Sequence, residues 1–195
     1  MNKTDILLCG VGGQGVLSVA AIIASAARSA GLRAVQSEVH GMAQRGGAVV
    51  AHLRLSDDDI HSATIGLGQA DLVISMEPLE CLRYVEYLRP GGTLLTSSEP
   101  VENIPDYPDL ESVLAKVRDL PRGVVVDAVR LAKEAGSARA ANVVMVGAAL
   151  DLLPIGAEDV EAVLEEAFGS KGDKVVRANR DALARGREAG RLQPV

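Results

Sequence analysis

The hexapeptide Gly10-Val11-Gly12-Gly13-Gln14-Gly15 constrains the fold more than any other part of the chain. It follows a short apolar run, Asp5-Ile6-Leu7-Leu8-Cys9, and precedes an alanine-rich stretch over residues 16–30 with apolar positions at helical spacing. That order predicts a buried strand, a glycine turn and a helix closed by Gly31. Glycine permits positive φ and close backbone approach. A helix N-terminus adds unpaired N–H groups and the positive end of its dipole. The G-x-G-x-x-G spacing therefore makes Gly10, Gly12, Gly13, Gln14 and Gly15 candidates for cradling a phosphate-type group. The same glycines would also let the helix pack tightly on the strand, and both readings stay open.

Downstream, apolar runs predict strands over residues 33–38, 48–55, 70–76, 93–97 and 123–127. Helical spacing predicts helices over residues 78–88, 110–117, 128–135, 138–152, 157–168 and 174–189. Pro90-Gly91-Gly92 reads as a turn, and residues 100–108, with three prolines, as a surface connection. Strands alternating with helices imply an α/β fold: a doubly wound, mostly parallel, Rossmann-like sheet with helices on both faces. One domain spans residues 1–195, with 138–195 as a helical C-terminal portion. Residues 16–30 and 142–152 hold more apolar surface than one small sheet needs, which predicts an uncovered apolar face.

Composition removes several classes. Of 195 residues, 48% are hydrophobic, which excludes disorder of the whole chain. The longest weakly polar stretch, residues 10–27, is interrupted by glycines, Gln14 and two serines and cannot serve as a membrane span. No basic, apolar, small-residue sequence opens the chain, so a cytoplasmic location is expected. A net charge of −6 with one Phe, three Tyr and no Trp argues against nucleic-acid binding. Cys9 and Cys81 are too few for an iron–sulfur cluster or a CxxC zinc site, and both are expected buried and reduced. From Ser170 onward seven basic residues face three acids. That stretch reads as a solvated helix face or as a dock for an acidic partner.

No hydrolase constellation emerges, since GxSxG is missing and no cysteine nucleophile accompanies His40, His52 or His61. His52 falls in a strand pattern and reads as a packed histidine; His61 reads as exposed. Asp57, Asp58 and Asp59 read as a solvated turn, not a metal site. A dinucleotide reading needs an acid at the end of the second strand, and Glu38 is near that place. The strand instead runs on into His40-Gly41-Met42-Ala43-Gln44-Arg45-Gly46-Gly47, which brings its own glycines and an arginine fork. Loops at the carboxyl ends of neighbouring strands converge on one crevice. Two glycine-bearing loops facing there suit a polyphosphate or a partner chain as well as NAD.

At these two loops the chain resembles the gamma-type subunits or domains of 2-oxoacid:ferredoxin oxidoreductases, and within them the beta subunits of the indolepyruvate type. GVGGQG (10–15) and SEVHGMAQRGG (37–47) carry the likeness. ADLVISM (70–76), RPGG (89–92), NVVMVGA (142–148) and the spacing of Lys171, Asn179, Ala182 and Gly186 extend it in family order along nearly the whole chain. The HGMAQ stretch points toward arylpyruvates.

The resemblance implies a division of labour. A large partner subunit would carry the thiamine diphosphate and iron–sulfur clusters, decarboxylate the 2-oxoacid, pass electrons to ferredoxin and release an acyl-CoA. The absence of a GDG-type thiamine motif with a downstream asparagine agrees with this. This chain would hold no cofactor alone, be inactive in isolation, and help shape the coenzyme A site and the active-site cover of a hetero-oligomer. Carried over by position, Gly12 to Gly15 and Arg45, Gly46 and Gly47 are candidate contacts. Asn142 either braces this region or caps its own helix. No residue is assigned as a proton-transfer catalyst. A stand-alone NAD- or nucleotide-binding module, using residues 10–15 and Glu38, is the alternative.

Overall fold

The computed structural model describes residues 3–40, 46–102 and 104–191. β1 (Lys3–Val11), β2 (Arg33–His40), β3 (Ala48–Ser56), β4 (Ala70–Ser75), β5 (Leu88–Ser97) and β6 (Gly123–Val126) form one sheet in the order β2-β3-β1-β4-β5-β6. β1, β4, β5 and β6 run parallel, while β3 is antiparallel to both β1 and β2. The sheet is thus mixed but mostly parallel, with helices on both faces.

The central strands are buried on both sides, which explains their unbroken apolar runs. Ile6 and Leu8 face one core together with Leu72, Ile74 and Leu95. Leu7 and Cys9 face a second, smaller core with Val73, Leu94 and Cys81. The first core is closed by α1 (Val16–Ser29), α4 (Ala128–Glu134), α5 (Ala141–Ala149), α6 (Ala157–Phe168) and α7 (Asp173–Gly190). The second is closed by α2 (Pro78–Leu82), α3 (Leu110–Arg118) and the connection carrying Ile65.

Three expectations are corrected. The glycine loop and the loop after β2 do meet, but not because two parallel strands end side by side. Seven residues separate β2 from β3. A parallel crossover needs about a dozen or more, so the chain folds back as a hairpin and β3 starts beside the end of β1. The helix expected over 78–88 stops at Leu82. The next amides bond three residues back, Tyr84 N to Cys81 O and Tyr87 N to Tyr84 O, both at 3.1 Å. This tightening turns Tyr84 and Tyr87 onto the smaller core. Pro90-Gly91-Gly92 is not a separate turn but a bulge inside β5, whose pairing with β4 shifts between Leu88 and Thr93.

Over residues 143–150 no uncovered apolar face remains, although Leu17 and Ile22 of α1 stay partly exposed. Val143 through Leu150 are all buried, and the cover comes from α7. α5 and α7 touch backbone to backbone. A Cβ on Gly186 would lie 2.0 Å from the Val144 carbonyl oxygen, and one on Gly190 2.0 Å from that of Ala148. Gly147 faces the Leu183 carbonyl at 2.1 Å in the same way. The spacing of Asn179, Ala182 and Gly186 is therefore a packing code. Asn179 is 5% exposed, its amide held by the Val175 carbonyl at 2.8 Å. Four basic residues on or next to α7 are engaged in internal ion pairs, while Lys174 and Arg177 stay exposed. Arg180 meets Glu161 and Glu165, Arg185 meets Asp181 and Glu134, and Arg187 and Arg191 share Asp151.

Candidate functional site

The glycine loop sits at the carboxyl end of β1, pinned from three directions. Gln14 does the first pinning: its Oε1 accepts the Val11 amide at 2.8 Å and its Nε2 donates to the Met76 carbonyl at 2.9 Å. Both halves of the amide are used, so Gln14 ties the end of β1 to the end of β4 and shapes the loop. Gly10 fits beneath it, where a Cβ would crowd Gln14, Val16 and Met76 at 2.9–3.1 Å. The hairpin does the second. The Gly12 amide donates to the Gly47 carbonyl at 2.8 Å, and the Gly46 amide to the Gly12 carbonyl at 3.2 Å. Asn142, near the start of α5, does the third.

Asn142 donates from Nδ2 to the Gly15 carbonyl at 3.4 Å. Gly15 caps α1 in the left-handed region, φ +80°, and a Cβ there would lie 2.1 Å from that same nitrogen. Only glycine satisfies both demands. Asn142 thus braces the loop and makes no side-chain cap on its own helix.

The pinned loop leaves donors unused. α1 has no side-chain cap and no acid in its first turn. The amides of Gly13, Gly15, Val16 and Leu17 find no acceptor among the described residues. Such a cluster at a helix N-terminus favours an anion. Beside it lies a cavity of about 340 Å³, lined by Val11, Gly12, Gly13, Leu17 and Val49. The site thus offers unpaired N–H groups on one side and an apolar wall on the other. Arg45 and the preceding Gly41 to Gln44 lie outside the described residues. His40 closes β2, paired with Val49 in the ladder.

The dinucleotide alternative loses its second element. Glu38 stands on β2, opposite Ala51 of β3, which in turn pairs with Leu8 of β1. An intervening strand puts Glu38 two strand spacings, about 10 Å, from β1. In dinucleotide folds the acid instead ends the strand beside the glycine loop.

Sequence reasoning missed Glu77. It follows β4, is 1% exposed, and caps α2 by accepting the Glu80 amide at 2.7 Å. Its other oxygen accepts the Tyr107 hydroxyl and the Val101 amide at 3.4 Å. One buried carboxylate so fastens the proline-rich connection across the carboxyl end of β4. Burial and the Glu77 bond both push the Tyr107 hydroxyl pKa upward. An acid followed by Pro78 at the first helical turn was a readable cap signal; the tie to Tyr107 was not.

The thiols offer no nucleophile. Burial pushes Cys81 up to about 12 and Cys9 higher still. Burial also raises Glu80, whose Oε2 has no hydrogen-bond partner among the described residues. His52 is 8% exposed, its Nδ1 accepts the Ile65 amide at 3.1 Å, and burial lowers its pKa. His61 and Asp57 to Asp59 are exposed. No group of three or more His, Cys, Asp or Glu among the described residues could hold a metal ion. No described helix is long and apolar enough to cross a membrane.

Residues 5–189 match the family model described as pyruvate ferredoxin/flavodoxin oxidoreductase. The chain is 38% identical over 193 residues to indolepyruvate oxidoreductase subunit IorB of Archaeoglobus fulgidus, covering 94% of each chain. It superposes on the keto/oxoacid ferredoxin oxidoreductase gamma subunit of Geobacter sulfurreducens with a TM-score of 0.73, at 27% identity over 97% of both chains. It also shares the fold of a 2-oxoglutarate:ferredoxin oxidoreductase from Magnetococcus marinus, solved with 2-oxoglutarate, coenzyme A and succinyl-CoA bound. There the TM-score is 0.76 at 24% identity, covering 97% of this chain and 31% of that one.

Proposed function

This chain belongs to the pyruvate ferredoxin/flavodoxin oxidoreductase family, and from that premise we propose that it is the cluster-free subunit of an indolepyruvate-type (arylpyruvate) 2-oxoacid:ferredoxin oxidoreductase. The observation that carries the reading is the 38% identity to an IorB subunit across 94% of both chains. Decarboxylation and electron transfer to ferredoxin are assigned to a large partner subunit bearing thiamine diphosphate and iron–sulfur clusters. With only two cysteines, both buried and held as thiols, this chain supplies no cluster ligands.

Its own residues are assigned to coenzyme A and the cover of the active site. The unpaired amides of Gly13, Gly15, Val16 and Leu17 suit a phosphate oxygen, and they come pre-aimed because Gln14, Gly47 and Asn142 hold the loop. Donors fixed before the ligand arrives lose little entropy on binding. The apolar wall beside them fits the less polar part of such a ligand. Arg45, flanked by Gly46, is assigned a phosphate contact through its planar fork.

Reconstitution tests this. The complex with the large subunit should reduce ferredoxin in the presence of indolepyruvate and coenzyme A, and the isolated chain should not. Arg45→Ala in the complex should raise the coenzyme A KM about tenfold to a hundredfold without changing the melting temperature of the free chain. Turnover by the chain alone, or a lowered melting temperature with an unchanged KM, would refute the assignment.

A further inference from the structure

The end of the sheet away from the glycine loop carries chemistry that the proposed function does not use. Between Ala70↔Leu88 and Leu72↔Thr93 the β4–β5 register slips, and residues 89–92 bulge out at the amino end of the parallel strands. The bulge borders two adjoining grooves. One, of about 350 Å³, has a wall of Val85, Leu88, Leu94, Leu120 and Pro121. The other, of about 260 Å³, is polar and includes Lys3, Asp71 and Thr93. Arg89, Gly91 and Arg122 line both.

The three cations differ in their commitments. Lys3 pairs with Asp5 at 2.7 Å. Arg89 gives Nε to Asp71 at 2.5 Å and Nη1 to the Pro90 carbonyl at 3.3 Å. Arg122 donates only its Nε, to the buried Thr93 hydroxyl at 2.9 Å, and forms no ion pair among the described residues. Its backbone is fixed as well, since its carbonyl accepts the Leu94 amide at 3.0 Å. Arg122 is half-buried. Its two terminal nitrogens make no hydrogen bond among the described residues and are not buried, so they are open to a ligand in the grooves they line.

We propose that Arg122 and the residue 89–92 bulge form a second ligand site, for a small monocarboxylate carried on an apolar body. A planar fork with both terminal nitrogens free matches one carboxylate through two parallel N–H···O bonds. Asp71 beside it disfavours a more highly charged anion. The aliphatic wall accepts the apolar body. The site lies at the opposite end of the strands from the glycine loop and stands independently of the oxidoreductase reading.

Phenylacetate is a suitable probe, titrated into the isotope-labelled full-length chain and followed by amide NMR shifts. Gly91, Gly92, Thr93 and Gly123 should move and saturate with a Kd of about 1 mM. Inorganic phosphate should leave them unmoved, and benzyl alcohol should bind about tenfold more weakly, for want of the charge-assisted bonds. Arg122→Met, which keeps an apolar stem, should weaken phenylacetate about tenfold, with Arg122→Lys between the two. The proposal is overturned if those amides stay still, if only the amides of residues 12–17 move, or if Arg122→Met binds as well as the parent. Should Arg122→Met fail to fold, the shift map of the unmodified chain decides alone.

Discussion

On one face of the sheet, α5 and α7 approach until glycines meet carbonyl oxygens, and helices supply the cover. On the other, two helices of five and nine residues leave much of β1 and β3 to be covered by connections. Those connections are held by polar bonds. Asp5, fully buried, takes Arg54 through two bonds at 2.8 and 3.2 Å and Lys3 at 2.7 Å. Arg54 then reaches the carbonyls of Ser62 and Thr64, while His52 holds the Ile65 amide and stacks edge-on against Tyr87. Close packing rewards every methyl that fits and punishes every one added. Polar latches fail one at a time, and each failure leaves a buried group unpaired.

The contrast breaks most visibly at the latch. Arg54→Met should cost about 2–3 kcal/mol, because it leaves the buried Asp5 carboxylate with only the part-exposed Lys3 as a charged partner; urea unfolding measures it. Arg54→Met together with Asp5→Leu should recover much of that loss, since no charge is then buried there and the partners left behind, Lys3 and the Ser62 and Thr64 carbonyls, reach water. On the close-packed face, Gly186→Ala should cost about 1–3 kcal/mol, although alanine exceeds glycine in helix propensity by about 1 kcal/mol. A neutral result there would mean that α5 and α7 can part cheaply. Tyr107→Phe should cost about 1–2 kcal/mol and speed hydrogen exchange at Val101, with the helical face unchanged.

How much of this was legible follows the same division. Gly10 to Gly15, the alternation along β1 and the spacing from Asn179 to Gly186 are local patterns, and each names its element directly. The β2–β3 hairpin was legible too, through the short span between His40 and Ala48, but the apolar runs alone suggested parallel strands. Asp5 with Arg54, and Glu77 with Tyr107, join residues 49 and 30 positions apart. No local pattern relates them, because the pairing exists only once the sheet has formed. At the glycine loop, Gly15 was readable as a turn residue. That Asn142, 127 positions away, braces this region was suggested by the family resemblance, whereas its filling the space a side chain on Gly15 would need was not legible.

A smaller effect sharpens the polar face further. Burial lowers the His52 pKa below its ordinary 6.5, so the unfolded chain binds that proton more tightly. The stability from the neutral ring is complete above pH 6.5 and drains away as pH falls toward the folded value. Unfolding free energy should therefore rise with pH across this window. His52→Gln, which can still accept the Ile65 amide, should flatten the rise. If the slope survives in His52→Gln, another group carries it.

The central claim is that the glycine loop, fixed by Gln14, Gly47 and Asn142, presents its free amides to coenzyme A. Hydrogen exchange by mass spectrometry on the assembled complex, with and without coenzyme A, measures this at the amides concerned. The account predicts slower exchange in peptides covering residues 11–18 on adding coenzyme A, with residues 88–94 unchanged. Unaltered exchange at 11–18, or protection confined to 88–94, would contradict it.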